Sequence, residues 1–262
     1  MNLPHTTPPS VVKGKLYLVP APLDFGCSQI TDLQASMPLG TLYQAANLAH
    51  WVCENAKSTR AYLKRIHDIT PLCKPIQSMS LVELPREVHK KGDHQGNFDA
   101  RGLLQAALQG NDIGLISEAG MPAVADPGSS VVRAAHDLGV EVIPLVGPVS
   151  LLLALAASGL NGQNFAFVGY LPQDAQERIT RIRELEALSL KTGQTQLFIE
   201  TPYRNAVMLA ALKQSLQPNT RLAISSGLTL ASAHIVSQSI KQWKHASTTL
   251  DNATPVVFAI GR

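Results

Sequence analysis

Cysteine is scarce: Cys27, Cys53 and Cys73 are the only three, odd in number and without CxxC spacing. That argues against a disulfide framework and against a Cys-rich zinc site, and three unpaired thiols suit a reducing compartment. Aromatic residues make up 5% and charged residues 16% of the chain. Charge of one sign is also lacking, since 22 basic and 19 acidic side chains leave a net +3. Such a mild balance permits an anionic partner without demanding one. No dense Lys/Arg run announces nucleic acid; the nearest, Arg86 to Lys91, is interrupted by Glu87 and His89 and reads as a solvated loop. The longest apolar stretch, Val149 to Ala157, falls far short of the ~20 residues of a membrane span. The N-terminal MNLPHTTPPSVVKGK has no apolar core of a signal peptide and reads as a polar, disordered or extended tail over residues 1–13. A soluble, cytoplasmic protein without membrane partner is expected.

Several common signatures are missing as well. There is no GxGxxG, no GxxxxGK[ST], no GxSxG and no HExxH, which removes the dinucleotide, Walker-loop, nucleophile-elbow and zincin readings. The 8 His residues are scattered. His89 and His94, with Asp93, fall in a polar loop where solvent exposure is the default reading and a metal the alternative; no metal is expected.

What is present is a globular composition. Apolar residues reach 45%, and 18 Gly with 17 Pro in 262 residues is ordinary usage, so a disordered or low-complexity chain is excluded. The length fits one large domain or two smaller ones. Short apolar runs alternate with helical patterns. Strands are expected at Leu16 to Val19, Ile113 to Ser117 and Val140 to Val146. Helices are expected at Ile30 to Met37, Ser58 to Ile66 and Asp99 to Gln109, the last stopped by Gly110. Leu42 to Val52 fits either. Asp126-Pro127 reads as a helix start, Asp capping and Pro in the first turn. This order argues for α/β layering with a largely parallel sheet. After Ser158-Gly159 the pattern restarts: strands at Phe165 to Val168, Gln196 to Ile199, Arg221 to Ser225, His234 to Ser239 and Pro255 to Ile260, and helices at Asp174 to Leu190 and Asn205 to Leu216. Late strands dominate, so a mixed sheet is expected there. The boundary is placed near Ser158, within about ten residues, giving an N-terminal domain over 14–158 and a C-terminal one over 159–262.

Ligands of parallel α/β sheets bind at the carboxyl ends of strands. Loops of unusual composition lie just there: Pro20 to Gly26, Ser117 to Asp126 and Gly147 to Ser150. Ser117-Glu118-Ala119-Gly120-Met121-Pro122, followed by Asp126-Pro127-Gly128, is the most informative. Small residues let a ligand approach the main chain, whose N–H and C=O groups can read it.

Six segments occur in one order: Leu18-Val19-Pro20-Ala21-Pro22-Leu23, Cys53-Glu54-Asn55-Ala56-Lys57-Ser58-Thr59-Arg60, Ser117 to Gly128, Pro144 to Ser150, Gly169-Tyr170-Leu171-Pro172, and Phe198-Ile199-Glu200-Thr201-Pro202-Tyr203-Arg204. In them the chain resembles the tetrapyrrole (corrin/porphyrin) methylase superfamily of S-adenosylmethionine (SAM) dependent methyltransferases. Within it, the likeness is to the branch that methylates a ribose 2′-hydroxyl in small-subunit ribosomal RNA, of which this chain reads as a divergent member. The resemblance implies a two-domain α/β tetrapyrrole methylase fold, the donor SAM held in the cleft between the domains, and a homodimer. Carried over, donor contacts fall on Pro20, Ser117, Glu118, Ala119, Met121, Pro122, Val149 and Ser150, and in the second domain on Phe198 and Pro255. Glu118 replaces the family Asp.

The departures concern charge. Of the family's A-E-D-T-R-x-T-R segment, Glu54, Thr59 and Arg60 remain, while Asn55, Ala56 and Lys57 replace Asp, Thr and Arg. The later acidic pair falls on Ala233 and His234, and Thr254-Pro255 replaces Gly-Glu. The chain stops at Arg262, without the extra C-terminal segment of many RNA-methylating members. Lys57, Arg60, Arg204 and the Arg178-Arg181-Arg183 helix are the remaining cations for phosphates, although Glu177, Glu184 and Glu186 make that helix read as a solvated face. Methyl transfer needs acceptor and donor aligned, a contribution of about 7–11 kcal/mol, and a base if the acceptor is a hydroxyl. Glu54 and Glu200 are the candidate bases, with Arg60 and Arg204 as substrate positioners. A ribose of ribosomal RNA is the first acceptor expected; a tetrapyrrole-like small molecule, or a SAM-binding paralogue without turnover, are the alternatives.

Overall fold

The computed structural model describes residues 12–24, 26–91, 93, 98–247 and 249–262. Most of the expected tail (1–11) lies outside them, as do His94 and the side chain of His89. The chain divides into two units: one takes the residues up to Pro22 and Leu33–Gly147, the other Leu23–Asp32 and Pro148–Arg262.

The first unit contains β1 (Leu16–Leu18), α1 (Leu33–Ser36), α2 (Leu39–Ala46), β2 (His50–Cys53), α3 (Ala56–His67), β3 (Ser80–Glu83), α4 (Arg86–Lys91), α5 (Gln105–Leu108), β4 (Ile113–Ile116), α6 (Ser129–Asp137) and β5 (Val142–Pro144). Its 5-stranded sheet runs β3-β2-β4-β1-β5, every pairing parallel. The run Leu42 to Val52 holds both elements it fits. Leu42, Ala45 and Ala46 are buried at helical spacing in α2, and β2 follows from His50. In β2 the side chains alternate. Trp51 joins a core with Tyr17, Leu63 and Ile116; Val52 joins another with Leu16, Leu115 and Val131. Both faces are thus covered, as a parallel sheet requires. Gly114 lies under the Trp51 ring, where a Cβ would stand 2.6 Å from ring carbons. Arg86 to Lys91, read as a solvated loop, is a short helix instead. The helix expected over Asp99 to Gln109 is a 3-10 turn (Arg101–Leu104) leading into α5, and Gly110 at φ 91° ends it.

The second unit contains α7 (Ser150–Ser158), β6 (Phe165–Tyr170), α8 (Ala175–Thr192), β7 (Thr195–Glu200), α9 (Asn205–Ser215), β8 (Arg221–Ser226), β9 (His234–Ser239), α10 (Ile240–His245) and β10 (Val256–Gly261). Its 5-stranded sheet runs β6-β7-β10-β8-β9; β6 and β7 are parallel and the rest antiparallel, the mixed sheet expected. Alternation again builds two cores. Phe198, Leu222 and Phe258 pack with α8, α9 and α10 residues, while Leu197, Ala223, Val257 and Ala259 pack with Leu151, Ala154 and Leu155 of α7. The division falls between Gly147 and Pro148, at the early edge of the ten-residue margin around Ser158, and α7 covers the second sheet. Local signals end the helices here. Asp174 accepts from the Gln176 and Glu177 amides and caps α8, and Gly193 closes it at φ 69°.

Candidate functional site

In the first sheet β1 lies between β4 and β5. The chain leaves β1 for β2, beyond β4, and leaves β4 for β5, beyond β1. The two connections depart in opposite directions, which makes the carboxyl ends of β1 and β4 the topological switch point where such sheets bind ligands. The loops there carry Pro20 and Ser117 to Pro122. They are joined by a two-bond bridge: the Ala21 amide donates to the Gly120 carbonyl at 2.8 Å and the Gly120 amide to the Ala21 carbonyl at 3.0 Å. Gly120 adopts φ 68° to make it. The Tyr62 hydroxyl of α3 donates to the Pro20 carbonyl at 3.1 Å, and burial pushes that phenol up, keeping it a neutral donor. Gly147 closes on the other side of Pro20; a Cβ at Gly147 would lie 2.3 Å from the proline ring.

The β4–α6 loop is strained. Ala123 (φ 65°), Ala125 (φ 64°) and Gly128 (φ 135°) all take positive φ, at a cost for each alanine of about 1–2 kcal/mol. Such conformations persist where the surroundings over-determine them, and they cluster at ligand clamps. Here the Ala123 amide meets the Pro127 carbonyl and the Val124 amide the Met121 carbonyl, both at 3.3 Å. The expected cap, Asp126, does not cap α6. The N-cap is Gly128, and Asp93, 4% exposed, takes the work from elsewhere in the chain. Its carboxylate accepts from the Gly128 amide (2.9 Å), the Ser130 amide (2.8 Å), the Ser129 hydroxyl (2.8 Å) and the Ser130 hydroxyl (2.5 Å). Burial opposes its charge, but these bonds outweigh burial and hold the carboxyl below its ordinary value.

Asp126 faces other acids instead. Burial first, then the charges of Glu54 and Glu118, push its carboxyl up to about 7. Glu54 follows β2, and its Oε2 accepts from the Glu118 amide at 3.1 Å. The strand end and the β4 loop thus bring Glu54, Glu118 and Asp126 into one electrostatic set. Among the described residues no group of His, Cys, Asp or Glu can hold a metal ion. Asn55, the substitute for the family Asp, caps α3 by accepting from the Lys57 amide at 2.8 Å and the Ser58 amide at 3.3 Å. Charge is lost there but the cap is kept. Arg60 is exposed on α3. The Ser117 hydroxyl is buried without a hydrogen-bond partner.

In the second unit Val149 is the N-cap of α7 and Ser150 its first residue. Phe198 is fully buried and its ring stacks on Phe258 with ring centroids 5.6 Å apart. Two residues of β6, Val168 and Gly169, stand opposite Phe198 in a bulge. The Pro255 carbonyl accepts from the Gly227 amide at 3.1 Å. Glu200 and Arg204 are brought together: Arg204 Nη2 lies 3.0 Å from Glu200 Oε2, an ion pair rather than a well-aligned hydrogen bond. Glu200 Oε1 accepts from the Thr201 amide at 2.8 Å. The pair neutralises itself, which weakens Glu200 as base and Arg204 as positioner. Arg178 is not a surface cation either: it is 7% exposed, and Nη1 donates to the Gln173 carbonyl at 2.9 Å. Sequence reasoning missed Asp93 as an anchor and the raised Asp126 carboxyl, because both arise from burial and neighbours that the fold assembles. It also missed Asn205, fully buried, with Oδ1 lacking a partner.

The family model of the Tetrapyrrole (Corrin/Porphyrin) Methylases matches residues 45–243. A Mesorhizobium japonicum protein named Ribosomal RNA small subunit methyltransferase I is 41% identical over 138 residues, covering 52% of this chain and 46% of the relative. Its namesake in Halalkalibacterium halodurans is 31% identical over 194 residues, covering 73% of this chain and 57% of the relative. The chain spans about half the length of the curated relatives it matches. Among solved structures, the methyltransferase CobJ aligns with a TM-score of 0.57 at 16% identity, covering 95% of this chain and 94% of that one. Uroporphyrin-III-C-methyltransferase from Thermus thermophilus aligns at a TM-score of 0.50 and 17% identity, over 95% and 92%; both show the fold. A match over most of the chain, on a sheet whose switch-point loops carry the family's motifs, places this chain in the tetrapyrrole methylase family.

Proposed function

We propose that this chain is a SAM-dependent methyltransferase, with a ribose hydroxyl of small-subunit ribosomal RNA as its first acceptor, working in the cytoplasm as a homodimer. The observation that carries the reading is the locked, strained loop pair at the switch point of the parallel sheet, Pro20–Pro22 bridged to Ser117–Pro122. The name of the relatives supports small-subunit ribosomal RNA as the substrate.

The residues present suit SAM. The donor is a sulfonium cation, and Glu54 and Glu118 supply negative charge beside the loop. Ser117 offers a buried hydroxyl without a partner, a group that is costly to leave so. Ala119 and Gly120 add main-chain donors and acceptors without bulk. When bound, SAM supplies an electrophilic methyl group. The chain's own part is to hold the donor with Pro20, Ser117, Glu118, Ala119, Met121 and Pro122, to position the acceptor with Arg60, and to accept the hydroxyl proton on Glu54. The Glu118 amide orients Glu54 through Oε2, which leaves Oε1 to take the proton. In the second unit, the family resemblance assigns donor contacts to Val149, Ser150, Phe198 and Pro255.

A second reading, donor binding without turnover, is favoured by one observation: Glu200 and Arg204 are spent on each other. Calorimetric titration with SAM and S-adenosylhomocysteine tests the donor site. Micromolar binding is expected, and absence of binding to both refutes it. Transfer of labelled methyl from SAM to ribosomal RNA, lost in Glu54→Gln, then separates turnover from mere binding.

A further inference from the structure

The donor loop's far end is held by a residue outside every motif the family reading uses. We propose that Asp93 is a positioning residue that sets the conformation of the donor loop Ser117–Gly128 and thereby the affinity for the donor; this rests on the methyltransferase reading above.

Four bonds converge on one buried carboxylate, two from the Gly128 and Ser130 amides and two from the Ser129 and Ser130 hydroxyls. A fifth, from Arg133 Nη2 to the Asp93 carbonyl at 3.0 Å, fixes the backbone of Asp93 itself. The Gly128 amide is where the loop ends, and Gly128 sits at φ 135° against the Ala123 amide and the Leu115 side chain. From there the strain runs back through Pro127, Ala125 and Ala123 to Met121. A helix needs its first amides satisfied, yet α6 has no local side-chain cap. Asp93, 35 residues away in sequence, therefore decides where α6 begins. With that start moved, Gly128 keeps only the bonds its carbonyl accepts from the Val131 and Val132 amides, and the left-handed angles of Ala123 and Ala125 relax with it. The other end of the loop is bolted by the Ala21–Gly120 bridge, so the relaxation falls on the residues between, Met121 and Pro122 among them. The charged groups around this point are Asp93 and Arg133 at the anchor, and Glu54, Glu118 and Asp126 along the loop. Only a carboxylate gives two acceptor atoms without adding a donor, so an amide at 93 keeps the size and breaks the pattern.

The test compares the full chain with Asp93→Asn, Asp93→Ala and a matched control, Asp174→Ala, which removes a two-amide cap from α8 in the other unit. S-adenosylhomocysteine affinity is expected to fall about tenfold or more in both Asp93 variants. The control is expected to melt earlier yet keep wild-type affinity. Amide hydrogen exchange without ligand is expected to rise over 119–130 in Asp93→Asn and not in the control. Asp93→Asn folded with unchanged affinity and unchanged exchange would overturn the proposal, as would an equal affinity loss in the control. If the wild type binds no donor, the methyltransferase reading fails, and the exchange comparison alone then upholds or sinks the anchoring role. Should Asp93→Ala fail to fold, Ser130→Ala, which removes one hydroxyl bond, is expected to show the same loss at smaller size.

Discussion

Asp126 carries the clearest single-residue signature. Its carboxyl holds a proton to about pH 7 in the folded chain, against 3.8 as the ordinary value. Between those values the folded state binds the extra proton, so stability falls as pH rises from about 4 to about 7 and this contribution is flat above. Asp126→Asn is expected to flatten the fall and to be more stable than wild type at pH 8, by about 2 kcal/mol. Melting temperatures of both proteins from pH 4 to 8 decide this; parallel curves would sink it. Gly147 is the steric counterpart. A methyl group there meets the Pro20 ring, so Gly147→Ala is expected to cost about 1–3 kcal/mol and to weaken donor binding, measured by denaturant titration and calorimetry. At this scale the sequence was legible where the effect is local. Asn55 beside α3 and Asp174 beside α8 announce caps in the residues they precede. The raised Asp126 carboxyl was not, because it comes first from burial and then from Glu54 and Glu118, which the chain brings in from another strand and from the start of the loop.

Elements show how the charge losses in the motifs should be understood. Asn55 stands where the family has Asp, and it accepts from the Lys57 and Ser58 amides in the first turn of α3. Asn55→Ala is expected to cost about 1 kcal/mol, and Asn55→Asp to cost none, since a carboxylate caps as well and suits the helix dipole; thermal melts compare the two. The turn after β7 holds the opposite lesson. Glu200 and Arg204 form a nearly buried pair within one turn, their side chains 2% and 17% exposed. Arg204→Met leaves Glu200 uncompensated and is expected to cost about 3–5 kcal/mol, with the paired change Glu200→Gln recovering much of it. If Arg204→Met is instead as stable as wild type but inactive, Arg204 works on substrate after all. The start of α6 was misplaced from sequence because an Asp followed by Pro satisfies every local rule, while the carboxylate that wins lies in another loop.

For the whole molecule, the division between Gly147 and Pro148 makes α7 part of the second unit. A fragment Pro148–Arg262 is expected to melt cooperatively, and Gly159–Arg262 not to, because the latter uncovers Leu197, Ala223, Val257 and Ala259. Circular dichroism melts of both decide it, and equal melts would return the boundary to Ser158. The proposed RNA acceptor has a whole-molecule consequence too. With a net charge of +3 few phosphates are neutralised, so RNA affinity is expected to fall with salt at a log–log slope of roughly −1 to −3. A slope near zero argues for an uncharged acceptor.

The sequence by itself determined the layering, the two kinds of sheet and the family. Hydrophobic period, loop composition and motif order are local quantities that survive without knowledge of partners. It also marked the loops at strand ends, since glycine and proline are needed wherever the chain must turn sharply. Only the tertiary structure decided what the charged residues do. Glu200 and Arg204 are consumed by each other, Arg178 by backbone carbonyls, Asp126 has its carboxyl pushed up by burial and neighbouring acids, and Asp93 is recruited to a helix 35 positions away. A carboxylate's role depends on the field and the donors within a few ångströms, and those are assembled by the fold rather than by spacing along the chain.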